Sequence, residues 1–141
     1  MHLLKSRLKN AFSLTLDLLE SLDEKSLSLK ISNVPSNSIG GQFWCILGAR
    51  QSYLKAIKHK GEWQGFSCDL TNTLDKNEVK SLLIETNNQL EKTEIDQLNS
   101  KVIEKAFELL EHEIQHHGQL MRFVYANKLK FPESWNKRYT V

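Results

Sequence analysis

The sequence contains little cysteine and little proline, which argues against a disulfide-stabilised fold and against helices interrupted by proline. Its two cysteines, Cys45 and Cys68, give no disulfide framework and suit a reducing compartment. Its two prolines, Pro35 and Pro132, lie outside the longest periodic stretches of the chain. Because proline breaks a helix when it stands in the interior, those stretches are free to form uninterrupted helices.

Long apolar runs and a large excess of one charge are missing as well. No run approaches the roughly 20 apolar residues that a membrane-spanning helix requires, so we expect no membrane partner. Residues 1–8 lack the apolar core and the cleavage site of a signal peptide, which predicts a cytoplasmic protein. The net charge of +2 and the scattered lysines do not favour a nucleic-acid partner.

The length and composition predict a single domain covering residues 1–141. A chain of 141 residues is long enough to bury a core without disulfides or structural metals. Hydrophobic residues make up 40% of it and charged residues 26%, which is an ordinary balance for a globular domain. The sequence shows no internal repeat, no low-complexity tract and no stretch with the alternation typical of a strand.

Apolar residues recur at helical spacing in four stretches of the chain. The stretches are residues 3–22, residues 38–59, a third that opens at Asp75, and residues 100–130. Asp75 is expected to cap the third helix, with Glu78 completing a capping-box pattern. Four long helices joined by connections of moderate length predict an all-α four-helix bundle.

Glycines and aromatic residues at the helix ends and in the connections lead to three further predictions. Gly40 and Gly41, in the first turn of the second helix, indicate close approach by another backbone or by a ligand. Trp63 and Phe66, in the loop after that helix, are expected to cover the bundle end. Trp135, in a turn-like tail after the fourth helix, is expected to fold back and pack.

Three of the five histidines, His112, His116 and His117, lie in one six-residue segment of the predicted fourth helix. His112 and His116 are four residues apart, which places them one helical turn apart on one side, where two imidazoles can reach a single metal ion. A helical wheel centres the apolar stripe near Leu110 and Ile114, with His117 close to its middle and this pair on its flank. From spacing alone, a solvated pair is as good an interpretation as a metal site, and a hydrogen-bonded core residue is the better one for His117.

Cys45 occupies a comparable flank position on the second helix, on the side that it shares with Gln42 and Ala49. A single cysteine is often a small buried apolar residue, and that interpretation stays open here. A Cys45 thiolate together with His112 and His116 would make a three-residue zinc set. Such a set leaves a fourth position open for water or substrate, as catalytic zinc sites do.

Three segments resemble the DinB-like (DinB/YfiT) metalloprotein superfamily. They are the histidine motif of residues 112–120, the second-helix segment of residues 38–50 and the closing segment of residues 132–139. The resemblance implies an up-down-down-up four-helix bundle that is often a homodimer. It also implies a divalent metal held by three histidines, of which two match His112 and His116 while the third matches the position of Cys45. A cysteine at that position favours zinc over nickel.

The resemblance also implies a leading function, because the family includes S-transferases that use low-molecular-weight thiols. We therefore expect a metal-dependent thiol transferase acting on a small electrophilic substrate. Around the metal, Glu113, His117 and Gln119 are expected to orient ligands or substrate, and Arg50 to attract an anionic substrate. The alternative is a degenerate, non-catalytic binding or stress-response protein with a weakened or absent metal site. Metal-dependent hydrolysis is a third and weaker option.

Overall fold

The computed structural model describes residues 3–141, so the first two residues of the predicted domain lie outside it. Within the described range the fold is all-α and contains no strand, which confirms the all-α part of the predicted fold class. The elements are α1 (Leu3–Ser21), a 3-10 helix (Glu24–Ser28), α2 (Ile39–Lys58), α3 (Lys76–Lys92), α4 (Ser100–Ala126) and α5 (Glu133–Tyr139). No helix within residues 3–141 is long and apolar enough to cross a membrane.

Polar side chains cap the starts of α2 and α3. Ser38 accepts a hydrogen bond from Gly41 N at the start of α2, and Asp75 accepts one from Glu78 N at the start of α3. The predicted cap at Asp75 is thus confirmed, since its carboxylate satisfies an amide that the helix leaves unpaired. The Glu78 carboxylate does not close a capping box, because it accepts hydrogen bonds from Thr71 instead.

The chain after α4 departs from the predicted boundaries. Helix α4 ends at Ala126 rather than at residue 130, and the tail forms α5 where a turn was expected. The prediction that Trp135 folds back is confirmed: its side chain is fully buried, and its Nε1 donates to the Leu14 carbonyl oxygen at 2.7 Å. This contact ties the end of the chain to the middle of α1.

The four long helices pack as a ring in which α1 contacts α3, α3 contacts α2, α2 contacts α4, and α4 contacts α1. The core has two clusters, one toward each end of the helices. One cluster joins the end of α1, the starts of α2 and α3 and the end of α4, through Leu18, Phe43, Leu83 and Leu120. The other joins the opposite ends of the same helices through Leu8, Leu54, Leu90 and Leu109.

Two glycines of α2, Gly40 and Gly48, lie so close to neighbouring atoms that neither has room for a Cβ. A Cβ on Gly40 would collide with the Thr73 carbonyl oxygen, so the predicted close approach there is by another backbone. A Cβ on Gly48 would lie 2.6 Å from the Phe66 ring, so this aromatic packs along the side of α2 rather than over the bundle end. Trp63 contacts Tyr53 edge to face, and about half of its surface stays exposed.

Candidate metal-binding site

Helix α4 is rotated relative to the face that the apolar pattern predicted. Leu110 and Ile114, which marked the centre of the predicted stripe, are only half-buried, and Phe107 on the same side is 49% exposed. Instead, the buried face is centred nearer to His116 and His117, which are 9% and 0% exposed. At this part of α4 the neighbouring helix α1 covers the predicted stripe incompletely, since Leu110 and Ile114 line an open cavity of about 500 Å³ that α1 and α5 also line. The rotation turns the histidine motif inward.

His112 and His116 lie side by side, as their spacing predicted. Their ring centroids are 4.5 Å apart and their planes are tilted by 53°. His116 Nδ1 lies 2.6 Å from Gln42 Oε1 on α2, and Gln42 Nε2 donates to Asn37 Oδ1 at 3.1 Å. Because this second bond directs the amide oxygen toward the imidazole, His116 Nδ1 acts as the donor. The lone pair of His116 is then on Nε2, which has no hydrogen-bond partner within residues 3–141.

Both imidazoles of the pair are held neutral. Burial lowers the pKa of His116 to about 4, with a further contribution from His112. Burial likewise lowers the pKa of His112, although the charge of Glu113 opposes that shift. His112 Nδ1 is also buried without any hydrogen-bond partner among the described residues. The neutral imidazole is the form in which histidine binds a transition metal, so the pair offers two ligands of the three or four that such a metal takes.

Cys45 lies on α2 along the same groove as His116 and Gln42. Its thiol is half-buried, and burial raises its pKa, so a metal ion would have to displace the proton. Within residues 3–141 no three His, Cys, Asp or Glu side chains stand close enough together to form a ready metal-binding group. The structure therefore brings the two histidines together, while Cys45 lines the groove that His116 also lines.

The groove is a cavity of about 490 Å³ between α2, α4 and the segment that precedes α2. Gln119 lies one turn beyond His116 and lines it, as does Arg122 near the end of α4. Asn37 lines the opposite wall. The sequence motif and the segment before α2 thus share one open depression in which a small molecule could reach His116.

Glu113 and Arg50 form an ion pair in the protein core. Arg50 Nη2 lies 2.6 Å from Glu113 Oε1 and its Nε lies 3.2 Å from Oε2, and both side chains are fully buried. Arg50 also donates to Thr86 Oγ1 and to the Phe12 carbonyl oxygen, and it stacks on the Phe12 ring. Burial tends to raise the pKa of Glu113, but the charge and hydrogen bonds of Arg50, with smaller contributions from His117 and Thr15, together outweigh it and hold the pKa below its ordinary value. With every side of its guanidinium occupied, Arg50 acts in this conformation as a core residue that joins α2 to α4.

His117 continues this buried network toward α5. Its Nε2 lies 2.7 Å from Thr15 Oγ1, which donates to Glu113 Oε1 at 2.5 Å, and its Nδ1 lies 2.5 Å from Tyr139 OH. Its ring packs on Trp135 with centroids 4.8 Å apart. Burial lowers the pKa of His117 to about 4. A neutral His117 that donates to Thr15 and accepts from Tyr139 satisfies every partner, in agreement with its interpretation as a core residue.

Sequence reasoning missed three polar residues of these networks, namely Gln42, Thr15 and Tyr139. Thr15 could have been found, because it is a polar residue inside the apolar repeat of α1, between Phe12 and Leu19. Gln42 was visible only as a neighbour of Cys45 on one side of α2. Nothing in the local sequence pairs Tyr139 with His117, since the contact depends on how α5 folds back.

In comparisons with protein-family models, curated proteins and solved structures, the chain matches none of them. The geometry of the groove is therefore the basis for its interpretation.

Proposed function

We propose that the chain is a divalent-metal-binding, DinB-like protein that acts as a metal-dependent thiol S-transferase on small electrophiles. The observation that carries the proposal is the adjacent pair formed by His112 and His116, whose ring centroids are 4.5 Å apart. Gln42 fixes one ring with its Nε2 lone pair available, and the other ring has a buried nitrogen without a partner. Hydrogen-bonded support of this kind is typical of histidines that bind metals.

The arrangement of the helices supports the family assignment within this proposal. The end of α1 lies with the starts of α2 and α3 and with the end of α4. Such packing supports the up-down-down-up order that the resemblance implies. The homodimer that the resemblance implies stays part of the proposal.

In the proposed site, His112, His116 and the Cys45 thiolate hold the metal, with zinc as the first candidate and nickel as the second. A zinc ion bound there would supply a Lewis acid that lowers the pKa of a thiol at its open position. Two contacts within the chain position the proposed site. Gln42 holds the His116 ring in place, and the Arg50–Glu113 ion pair fixes the separation of α2 from α4.

Thiol conjugation by zinc-loaded protein tests the proposal. We expect the protein to accelerate the conjugation of glutathione to monochlorobimane, and we expect the variant His116→Gln to lose the acceleration. His59→Gln is the matched control, because it removes an exposed imidazole at the other end of α2. An unaccelerated reaction in zinc-loaded wild-type protein that is shown to be folded would refute the transferase proposal.

The second candidate is a non-catalytic, DinB-like binding or stress-response protein whose metal site is weakened or lost. The raised pKa of Cys45 favours it, because a half-buried thiol that keeps its proton is a poor ligand. The variant Cys45→His separates the two candidates. Zinc binding that appears only in Cys45→His would favour the second, whereas zinc binding by the natural chain would favour the first.

A further inference from the structure

A second cavity, lined by α1, α4 and α5, shares no residue with the histidine groove. Its volume of about 500 Å³ lies within the range of roughly 300–1,000 Å³ that is typical of small-molecule sites. The proposed transferase makes no use of it. Its lining combines an apolar wall with polar side chains that have few partners of their own, and both features bear on what the cavity could bind.

The wall that α4 contributes is apolar. Leu110 and Ile114 lie one helical turn apart, line the cavity and are only half-buried. Leu14 lines the cavity from α1. The two α4 residues belong to a stripe as regular as that of a core-facing helix, yet the helices within residues 3–141 do not cover them fully. The apolar part of a ligand would remove this surface from water.

The charged side chains of the lining favour an anion with a single charge. Arg7 and Arg138 carry two positive charges and Asp17 one negative charge, which leaves a net charge of +1 in the lining. None of the three takes part in an ion pair within residues 3–141. A monoanion would balance this charge, whereas Asp17 would repel the second charge of a dianion such as phosphate.

Two side chains of α5 supply the contacts for such an anion. Ser134 and Arg138 lie four residues apart, so they project from the same side of the helix, and both line the cavity. Ser134 Oγ is buried and has no hydrogen-bond partner within residues 3–141. A buried hydroxyl without a partner is costly, and its O–H can donate to a carboxylate oxygen. The Arg138 guanidinium, 4.9 Å from the centre of the Tyr139 ring, can bind the same carboxylate through two parallel hydrogen bonds.

We propose that this cavity binds a small monocarboxylate with an apolar body, such as a medium-chain fatty acid. Arg138 and Ser134 bind the carboxylate, and the body packs on Leu110 and Ile114. The inference is independent of the proposed transferase, because none of these residues lines the histidine groove. A second copy of the chain is a poorer occupant, since a self-complementary interface would bring the arginines of both copies to one surface.

Calorimetric titration of the metal-free protein with octanoate tests the inference. Octanamide has the same apolar body without the charge, and we expect octanoate to bind at least about fivefold more tightly. Butanoate has the same carboxylate with four fewer CH₂ groups, and we expect it to bind at least about tenfold more weakly than octanoate. Equal affinity for octanoate and octanamide, binding of butanoate or inorganic phosphate as tight as that of octanoate, or no binding of octanoate would each refute the inference.

Substitutions on α5 assign the contacts. In Arg138→Gln the preference for octanoate over octanamide should vanish, and in Arg138→Lys part of it should remain. The matched control is Lys137→Gln, which removes a neighbouring charge that does not line the cavity and should keep the full preference. Ser134→Ala should weaken octanoate binding by about two- to tenfold without lowering the Tm, because the hydroxyl has no partner to lose in the free protein. Octanoate binding that is unchanged in both Arg138→Gln and Ser134→Ala would refute the site.

Sedimentation velocity examines the other possible occupant. We expect the wild type and Ile114→Asp to have the same oligomeric state, because the proposed ligand site is not an interface between copies. A dimer that Ile114→Asp dissociates, with circular dichroism showing the variant to be folded, would assign the cavity to a second copy of the chain and refute the inference.

Discussion

The substitution Glu113→Gln tests the most consequential contact in the core. Glu113 and Arg50 are fully buried and joined by two hydrogen bonds of 2.6 and 3.2 Å. The variant keeps the size of the side chain but removes its charge, so the Arg50 guanidinium is left buried without a counter-charge. Removing one partner of a buried ion pair costs about 3–5 kcal/mol. We therefore expect the free energy of unfolding to fall by that amount, and the Tm by about 10 °C or more.

Urea denaturation followed by circular dichroism, on metal-free protein at pH 7, measures this change. The matched control is Glu133→Gln, which removes the same charge from an exposed pair with Lys137 at 3.0 Å. Because solvent screens exposed pairs, the control should leave the urea midpoint unchanged. A loss of less than about 1 kcal/mol in Glu113→Gln would show that Arg50 does not depend on Glu113.

A double substitution separates the effect of the uncompensated buried charge from the effect of packing. In the variant that combines Arg50→Met with Glu113→Leu, no buried charge is left, and apolar side chains fill similar space. The double variant should be more stable than Glu113→Gln, because replacing both partners of a buried pair is often close to neutral. If it were as unstable as the single variant, the loss would come from packing rather than from the uncompensated charge.

Three further predictions follow from the histidine networks and α5. Since burial lowers the pKa of His116 and His117 to about 4, the unfolded chain, with histidine values near 6.5, takes up protons first as the pH falls. The free energy of unfolding should therefore decrease from about pH 6.5 toward pH 4, by about 3 kcal/mol for each histidine. Urea unfolding of metal-free His117→Gln at several pH values should show a dependence of this free energy on pH that is weaker by the equivalent of about one proton. Gln42→Leu should weaken zinc binding by about tenfold or more in a competition titration, because it removes the hydrogen bond that orients His116, and unchanged affinity would contradict that role. Trp135→Phe should lower stability by about 1–3 kcal/mol in thermal unfolding, because it removes the buried hydrogen bond to the Leu14 carbonyl oxygen and leaves space where the larger ring packed, and an unchanged Tm would contradict the anchoring of α5.

The helices and the histidine pair could be predicted from local sequence. A repeat such as Leu4, Leu8 and Phe12 needs only a helix and a neighbour to bury it, and the structure buries all three. The spacing of His112 and His116 determines their contact within one helix, whatever the rest of the fold does. The cap at Asp75 is local for the same reason.

The remaining contacts depend on how the helices are rotated against each other, which the sequence specifies only weakly. Apolar residues on α4 extend well beyond one face, so the wheel placed its centre at Leu110 rather than nearer to His116. Arg50 and Glu113 are 63 positions apart, and either could have faced solvent. Their pairing, like the contact of Gln42 with His116, becomes visible only when α2 and α4 are docked.

Metal content is the most direct test of the central claim that His112 and His116 belong to a metal site. The protein is purified without a histidine tag, incubated with zinc, dialysed and analysed by elemental mass spectrometry alongside His112→Gln, His116→Gln and His59→Gln. The account predicts about one zinc per chain in the wild type and in His59→Gln, and much less in the other two variants. Wild-type protein that retains no zinc, or that retains it equally without His116, would contradict the account.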